Sequence, residues 1–376
     1  MMYDFVIKNG TVIDGLGGEP FQADVVVHEG RIVEVGKTTS SGRQEIDAKG
    51  KLVTPGFVDI HTHYDGQATW SNRLSPSSEH GVTTVVMGNC GVGFAPCRKA
   101  DRESLIVLME GVEDIPGVVM SEGIPWAWET FPEFMDFLGS REYDMDIAAQ
   151  LPHAPLRVYT MGQRGIDREP ATDDDIQQMR DLTAEAIRAG ALGVATSRSL
   201  NHRSSDQHLM PGVSAAEGEL LALGEGINDA GLGVLQCISD FSDPESDFGL
   251  LRRIVESTGL SLSYSLMQVP NAPDRWRTIL DLMEKANQQG LDIKAQVFPR
   301  PIGVVLGLEL AWNFFSFSPS YIAISHLPLD ERLRSMRLPE VRRNIIAEFP
   351  TAALNPLSSV LANLRNVSLV AEKNQL

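Results

Sequence analysis

The residue types able to do chemistry are concentrated at His61-Thr62-His63. They follow the apolar run Phe57-Val58-Asp59-Ile60, which reads as a β-strand. Side chains alternate along a strand, so residues two apart point to the same side. Both imidazoles are therefore expected to converge at the C-terminal end of that strand, where they would hold a divalent metal ion. Two solvated histidines at a strand end are the plainer alternative. A second apolar run, Thr83 to Met87, leads to Cys90. A thiolate there would reach a metal held near His61 and His63, and mixed nitrogen and sulfur ligation suits zinc. The alternative is a small buried apolar residue, a common state of free cysteine. A metal held this way lowers the pKa of its bound water and polarises a scissile carbonyl, which is the chemistry of hydrolysis.

The elements that must place these residues fall into two parts. Residues 1–55 read as a small all-β unit. Tyr3–Ile7 leads into a turn at Asn9–Gly10, Val25-Val26-Val27 into Glu29–Gly30, and Ile32, Val33 and Val35 close at Gly36. Apolar runs separated by Gly-containing turns predict hairpins. Residues 56–376 are expected to form a second domain, in which amphipathic helix, glycine and strand recur as one phrase. Thr172 caps a helix that opens on Asp173-Asp174-Asp175, Gly190 stops it, and Leu192–Thr196 follows as a strand. The phrase returns at Gly231 with Val234–Ile238, at Gly259 with Leu260–Leu266, and at Gly290 with Ile293–Val297. Such units imply parallel strands in an α/β fold. Seven candidate strands follow Pro55, where a TIM-like (β/α)8 barrel wants eight. No eighth strand is read after Phe298, and the tail from Pro328 to Leu376 reads as a helix (Glu340–Glu348) and loop. The expectation is an incomplete barrel with open edges that invite self-association, and so a homo-oligomer.

Composition excludes some classes of function. The chain has 376 residues, 43% of them hydrophobic, enough to bury a large core. A formal net charge of -18 argues against nucleic acid and against an anionic membrane surface as partners. Three cysteines, Cys90, Cys97 and Cys237, are too few for a disulfide framework. The opening MMYDFVIKNG lacks the basic and apolar regions of a signal peptide. The most apolar stretch, Ile302 to Phe317, carries Glu309 and Asn313 and is too short to span a bilayer. A cytoplasmic protein is expected.

Larger motifs give the His-x-His its context. Ile7 to Gly15 (IKNGTVIDG) and Val53 to His63 (VTPGFVDIHTH) resemble the metal-dependent amidohydrolase superfamily. His80-Gly81-Val82-Thr83-Thr84, Gly88-Asn89-Cys90-Gly91, Pro152-His153 with Leu156-Arg157, Met161-Gly162 and Gly190 to Gly193 resemble its N-acyl-D-amino-acid deacylase branch. The resemblance is good over about the first two hundred residues and loose over the next hundred. It implies a β-sandwich plus barrel, zinc (one or two ions), and hydrolysis of a small-molecule N-acyl amino acid. It favours His61, His63 and Cys90 as metal ligands, and a substrate-contacting or ligand-backing role for His153.

Further along, the same resemblance departs from the pattern. The fifth-strand position, where the family has a metal-binding histidine, holds Cys237, which is either a substitute ligand or a buried structural thiol. The sixth-strand histidine position falls at Leu266 or Met267, and Gln268 stands where a lysine would meet the substrate carboxylate. The family's general base is an Asp ending the eighth strand, so no base is named here. Weak or absent deacylase activity is the corresponding expectation, with a catalytically impaired fragment as one alternative. A dihydropyrimidinase-type cyclic-amide hydrolase is another, opposed by the lack of a lysine in Ala191–Ser197. His202 and His208, flanking a polar loop, could compensate for the depleted ligand set but are read as solvated surface residues, His28 and His326 as structural or exposed, and Cys97 as buried.

Overall fold

The computed structural model describes residues 2–348 except 207, 270–271, 300–305 and 311–312. The tail beyond 348 and part of the apolar stretch Ile302–Phe317 lie outside the described residues. The chain divides into two compact units. One comprises the chain up to Asp59 with Ser75–Thr84, the other Ile60–Leu74 with the chain from Val85 onward. The boundary expected at residue 55 thus falls a few residues early. The backbone N–H of Phe57 donates to Gly81 O, tying the next strand to the 75–84 segment.

The first unit is built on a mixed sheet of five strands, β1 (Tyr3–Val12), β2 (Phe21–His28), β3 (Arg31–Gly36), β4 (Gly42–Asp47) and β5 (Leu52–Val53). Their order is β3-β2-β1-β4, with β5 also on β1. The β2–β3 hairpin turns on Glu29 and Gly30, both at positive φ (49° and 71°), the geometry of a type I′ turn. The expected turn at Asn9–Gly10 is instead a bulge inside β1, where the register shifts between Ile7 and Gly10. Asn9 holds φ 59° there, and its N–H and side-chain amide donate to Asp24 and Asp47. Gly10 must be glycine for a packing reason, because a Cβ would come within 2.4 Å of Val53.

Eight strands follow: β6 (Phe57–Asp59), β7 (Val82–Met87), β8 (Asp146–Ala149), β9 (Leu151–Pro152), β10 (Gly193–Ser197), β11 (Val234–Ile238), β12 (Ser261–Leu266) and β13 (Ile293–Val297). They form a three-stranded sheet, β6-β7-β8, and a five-stranded sheet, β9 to β13 in sequence order. Every pairing in the larger sheet is parallel. A doubly wound sheet would reverse order about a switch point, and this one does not. The parallel β9–β13 sheet, with helices between its strands, has the α/β architecture of a TIM-type barrel. β8 and β9 together make one barrel position, interrupted at Gln150, whose N–H donates to Met87 O. No eighth barrel strand occurs among the described residues. After β13 come helices Pro319–Ser325, Leu329–Arg337 and Pro339–Glu348.

The helices between strands begin and end as their residues dictate. Thr172 accepts from Asp175 N while the Asp175 side chain accepts from Thr172 N, a full capping box opening the helix Asp173–Arg188. Gly190, Gly231, Gly259 and Gly290, which follow the helices, all have φ between +69° and +125°. Among the described residues, no helix is long and apolar enough to cross a membrane.

At Gly193 the backbone of β11 leaves no room for a side chain, since an ideal Cβ there would lie 1.9 Å from Val234 O. Backbone cannot yield as a flexible side chain can. Gly193→Ala is expected to destabilise the second unit by about 1–3 kcal/mol or more, as overpacking does. Urea denaturation would show an unchanged midpoint if the strands can separate without cost.

Candidate metal centre

β6 ends at Asp59, yet strand-like bonding continues one step further. Thr62 donates its N–H (3.0 Å) and its hydroxyl (2.8 Å) to Val86 O on β7. That anchors Thr62 as a buried residue and sends its neighbours the other way. The rings of His61 and His63 consequently lie together, with centroids 5.5 Å apart. The side chain of Cys90 joins them, with Sγ 3.2 Å from His61 Nε2. One donor atom from each of the three lies within 4.8 Å of the others.

Cys90 reaches that position through an unusual turn. Gly88, Cys90 and Gly91 have φ of 82°, 55° and 69°. A non-glycine residue in the left-handed region carries strain that the surroundings must hold in place. Asn89, fully buried, does so. Its amide nitrogen donates to Val86 O (2.8 Å) and Thr62 O (3.3 Å), and its oxygen accepts from Gln150 Nε2 (2.9 Å). A Cβ at Gly88 would fall 2.2 Å from Gln150 O, so the turn admits no side chain there.

Carboxylates surround the three ligand candidates. Glu113, ending the helix Arg102–Glu113, places Oε1 3.1 Å from His63 Nε2. Asp65, in the turn that follows His63, is buried, its Oδ2 without a hydrogen-bond partner. His63 Nδ1 is likewise buried and unpartnered. Burial sets the charge states. It holds His63 well below the usual histidine range, helped by His61 and His202. It pushes the Cys90 thiol well up, with Glu113 and Asp65 adding to the effect. It raises Asp65 to about 7 and Glu113 to about 8, the latter also by repulsion from Asp65 and Asp114.

These residues fit a zinc ion. Donors bound at about 2.0–2.3 Å in a tetrahedron lie roughly 3.5 Å from one another, a spacing close to that of His61 Nε2 and Cys90 Sγ. A buried ring nitrogen with no partner is costly unless something occupies it. Two nitrogens and a sulfur are a donor set that zinc favours.

The other candidates take other places. Cys237 is fully buried on β11 and outside the cluster, its thiol donating to Ile238 O and pushed up to about 12 by burial. Leu266 is packed in the core and Met267 is half-buried. Gln268 is exposed and donates to Pro273 O. His153 corrects the expectation of a substrate contact. Its Nδ1 lies 2.8 Å from Thr196 Oγ1 and its Nε2 2.9 Å from Glu219, so neither ring nitrogen is left for a substrate. Arg157 also donates to Glu219, and all three side chains are buried. His208 is exposed beside Asp206, as expected, and Cys97 is buried.

His202 is the second correction. It is no solvated histidine: Ser197 Oγ lies 2.8 Å from its Nδ1, and burial lowers its pKa to about 4, with the charge of His61 acting the same way. Sequence reading also missed Glu113 and Gln296, whose Oε1 stands 3.4 Å from His61 Nδ1. Asp65 was missed as well: it lies in the turn after His63, where strand alternation no longer applies. Nothing in the pattern around Glu113 marks it as different from any polar residue ending a helix.

Two outcomes follow from this geometry. Asn89→Ala leaves Gln150 Nε2 and Thr62 O without their buried partner, and should destabilise the protein by about 1–3 kcal/mol in urea denaturation. An unchanged midpoint would mean the turn holds without it. Zinc binding should release protons, because the thiol must ionise while His63 is already neutral near pH 7. Zinc affinity is therefore expected to rise with pH. Calorimetric titration in buffers of different ionisation enthalpy should show about one proton fewer released by Cys90→Ser than by the unaltered protein. Equal release would remove Cys90 from the site.

Known proteins share this arrangement of chain. The D-aminoacylase of Alcaligenes xylosoxydans is 32% identical over 195 residues, covering 52% of this chain and 37% of that enzyme. The N-acyl-D-aspartate deacylase of the same organism is 36% identical over 196 residues, covering 51% and 36%. The crystal structure of N-acyl-D-glutamate deacylase from Bordetella bronchiseptica, complexed with zinc and a phosphonate inhibitor, superposes with a TM-score of 0.64 at 26% identity. It covers 80% of this chain and 59% of that one. The chain thus spans under two-fifths of the first two relatives' length. The sequence profile of the amidohydrolase family matches residues 44–353. The chain belongs to the amidohydrolase family.

Proposed function

We propose that this chain carries the metal-binding part of a zinc hydrolase that cleaves the amide C–N bond of N-acyl-D-amino acids. The observation that carries this reading is the convergence of His61, His63 and Cys90, with one buried ring nitrogen lacking a partner. The relatives suggest the reaction class: one is a D-aminoacylase, one an N-acyl-D-aspartate deacylase, and one an N-acyl-D-glutamate deacylase solved with zinc. A strand β10 reading Gly-Val-Ala-Thr-Ser has no lysine to carboxylate, which weighs against the cyclic-amide alternative.

The residues would divide the work. Zinc, when bound, supplies Lewis acidity to a water and a carbonyl. His61, His63 and Cys90 hold it, the two rings as neutral donors and Cys90 as thiolate. Asp65 presents a bare buried oxygen with raised proton affinity, and so suits the group that accepts a proton at Oδ2 and passes it to the leaving nitrogen. A cation beside it would draw its pKa back down towards the working range. Because Leu266 offers no ligand, turnover is expected to be slow.

The test is hydrolysis of N-acetyl-D-amino acids by the zinc-loaded protein, beside the double variant His61→Ala/His63→Ala. Zinc-dependent release of the free D-amino acid, lost in the double variant, is expected. Asp65→Asn should lower kcat by about 10²-fold or more while zinc stays bound. A zinc-loaded protein with no turnover on D or L substrates would overturn the reading and leave a metal-binding barrel without this activity.

A further inference from the structure

His61 meets a different partner at each ring nitrogen. Nε2 lies 3.2 Å from Cys90 Sγ, and Nδ1 lies 3.4 Å from Gln296 Oε1. Gln296 stands near the end of β13, 235 residues along the chain from His61. In the β12–β13 pairing Ser265 lies opposite Gln296 and Ser263 opposite Lys294, so Ser263 and Gln296 project from one face of the sheet. The amide nitrogen of Gln296 donates to Ser263 Oγ at 3.0 Å, which turns the amide oxygen to His61. An amide oxygen only accepts. A hydrogen bond here therefore needs the proton on Nδ1 and leaves the lone pair on Nε2, the nitrogen that faces Cys90.

The geometry points to Gln296 as a positioning residue that orients the His61 ring and presents its Nε2 to the metal. This inference rests on the metal centre proposed above. A metal-bound imidazole is commonly held by a hydrogen bond at its other nitrogen, which fixes the tautomer and the ring rotation and makes the ligating nitrogen a better donor. Here the acceptor is a neutral amide whose own orientation Ser263 secures. Two paired strands thus set the direction of a ring carried by a distant segment. Thr62, bonded twice to Val86 O, holds the backbone beside His61, so rotation of the ring is the freedom that Gln296 restrains. Neither Gln296 nor Ser263 ionises, so the contact does not depend on the charge of the nearby carboxylates.

Two measurements test this. Histidine tautomers are read by 15N NMR on histidine-labelled, metal-free protein, with the His61 signal assigned by its loss in His61→Ala. Zinc affinity is measured by competition with a chromophoric chelator for the unaltered protein, Gln296→Met and Gln296→Glu. Methionine keeps the length of the side chain but cannot accept the N–H as an amide does, whereas glutamate still accepts it. His61 should be the Nδ1–H tautomer in the unaltered protein and in Gln296→Glu, and a mixture in Gln296→Met. Zinc affinity should fall by about 10–100-fold in Gln296→Met and be largely kept in Gln296→Glu. Cobalt-substituted Gln296→Met should keep the coordination number of the unaltered protein.

An Nε2–H signal for His61 in the unaltered protein would overturn the inference without any variant. So would unchanged zinc affinity in Gln296→Met, with the metal centre left standing. A lower coordination number in cobalt-substituted Gln296→Met would also overturn it, by making Gln296 a ligand. Absence of zinc binding by the unaltered protein would instead bring down the metal centre, and this inference with it.

Discussion

The site depends on one carbonyl. Val86 O, near the end of β7, accepts from the N–H and hydroxyl of Thr62 and from the amide of Asn89. These bonds join the segment carrying His61 and His63 to the turn carrying Cys90. All of the donors are buried, where an unmade hydrogen bond costs more than in water. The spacing of the three ligand candidates is thus set by backbone and amide contacts before any ion arrives. A metal that meets donors already in place need not order them on binding. The strained φ of Cys90 is the cost of that arrangement, and Asn89, Gln150 and the flanking glycines hold it.

Burial then decides how the site behaves electrically. The chain as a whole is strongly acidic, but around Cys90 burial favours the uncharged form of each group, raising the Cys90 thiol, Asp65 and Glu113 and lowering His63. Desolvation is the first cause in each of these cases, so the groups share one origin for their shifts. A divalent cation reverses the logic, since it favours every anionic form that burial disfavours. Such a site exchanges protons for metal, and its affinity and pH response are one property. The His153–Glu219–Arg157 group shows the other way to bury charge. There each partner satisfies the next, and nothing remains to bind an ion or a substrate.

Much of this was legible in the residues, because it rests on short-range rules. Strand alternation brought His61 and His63 to one side, helix–glycine–strand phrases located β10 to β13, and the Thr172 cap appeared where its side chain dictates. What escaped depends on distant partners. Asn9–Gly10 carries the signal of a turn, but Val53 packs over Gly10 and the chain continues as a bulged strand. His202 sits in a polar loop, yet the end of β10 supplies Ser197 as a partner and the ring is half-buried. Glu113 looks like a solvated helix end until the tertiary fold sets His63 against it. His153 shows the opposite error, a motif histidine whose partners already satisfy it.

The most direct measurement of the central claim is X-ray absorption at the zinc edge on the unaltered, zinc-loaded protein. The account predicts one sulfur at about 2.3 Å with the remaining nitrogen or oxygen donors at about 2.0–2.1 Å, two of them showing imidazole scattering. A shell without sulfur, or without imidazole, would contradict the convergence of His61, His63 and Cys90 on one ion.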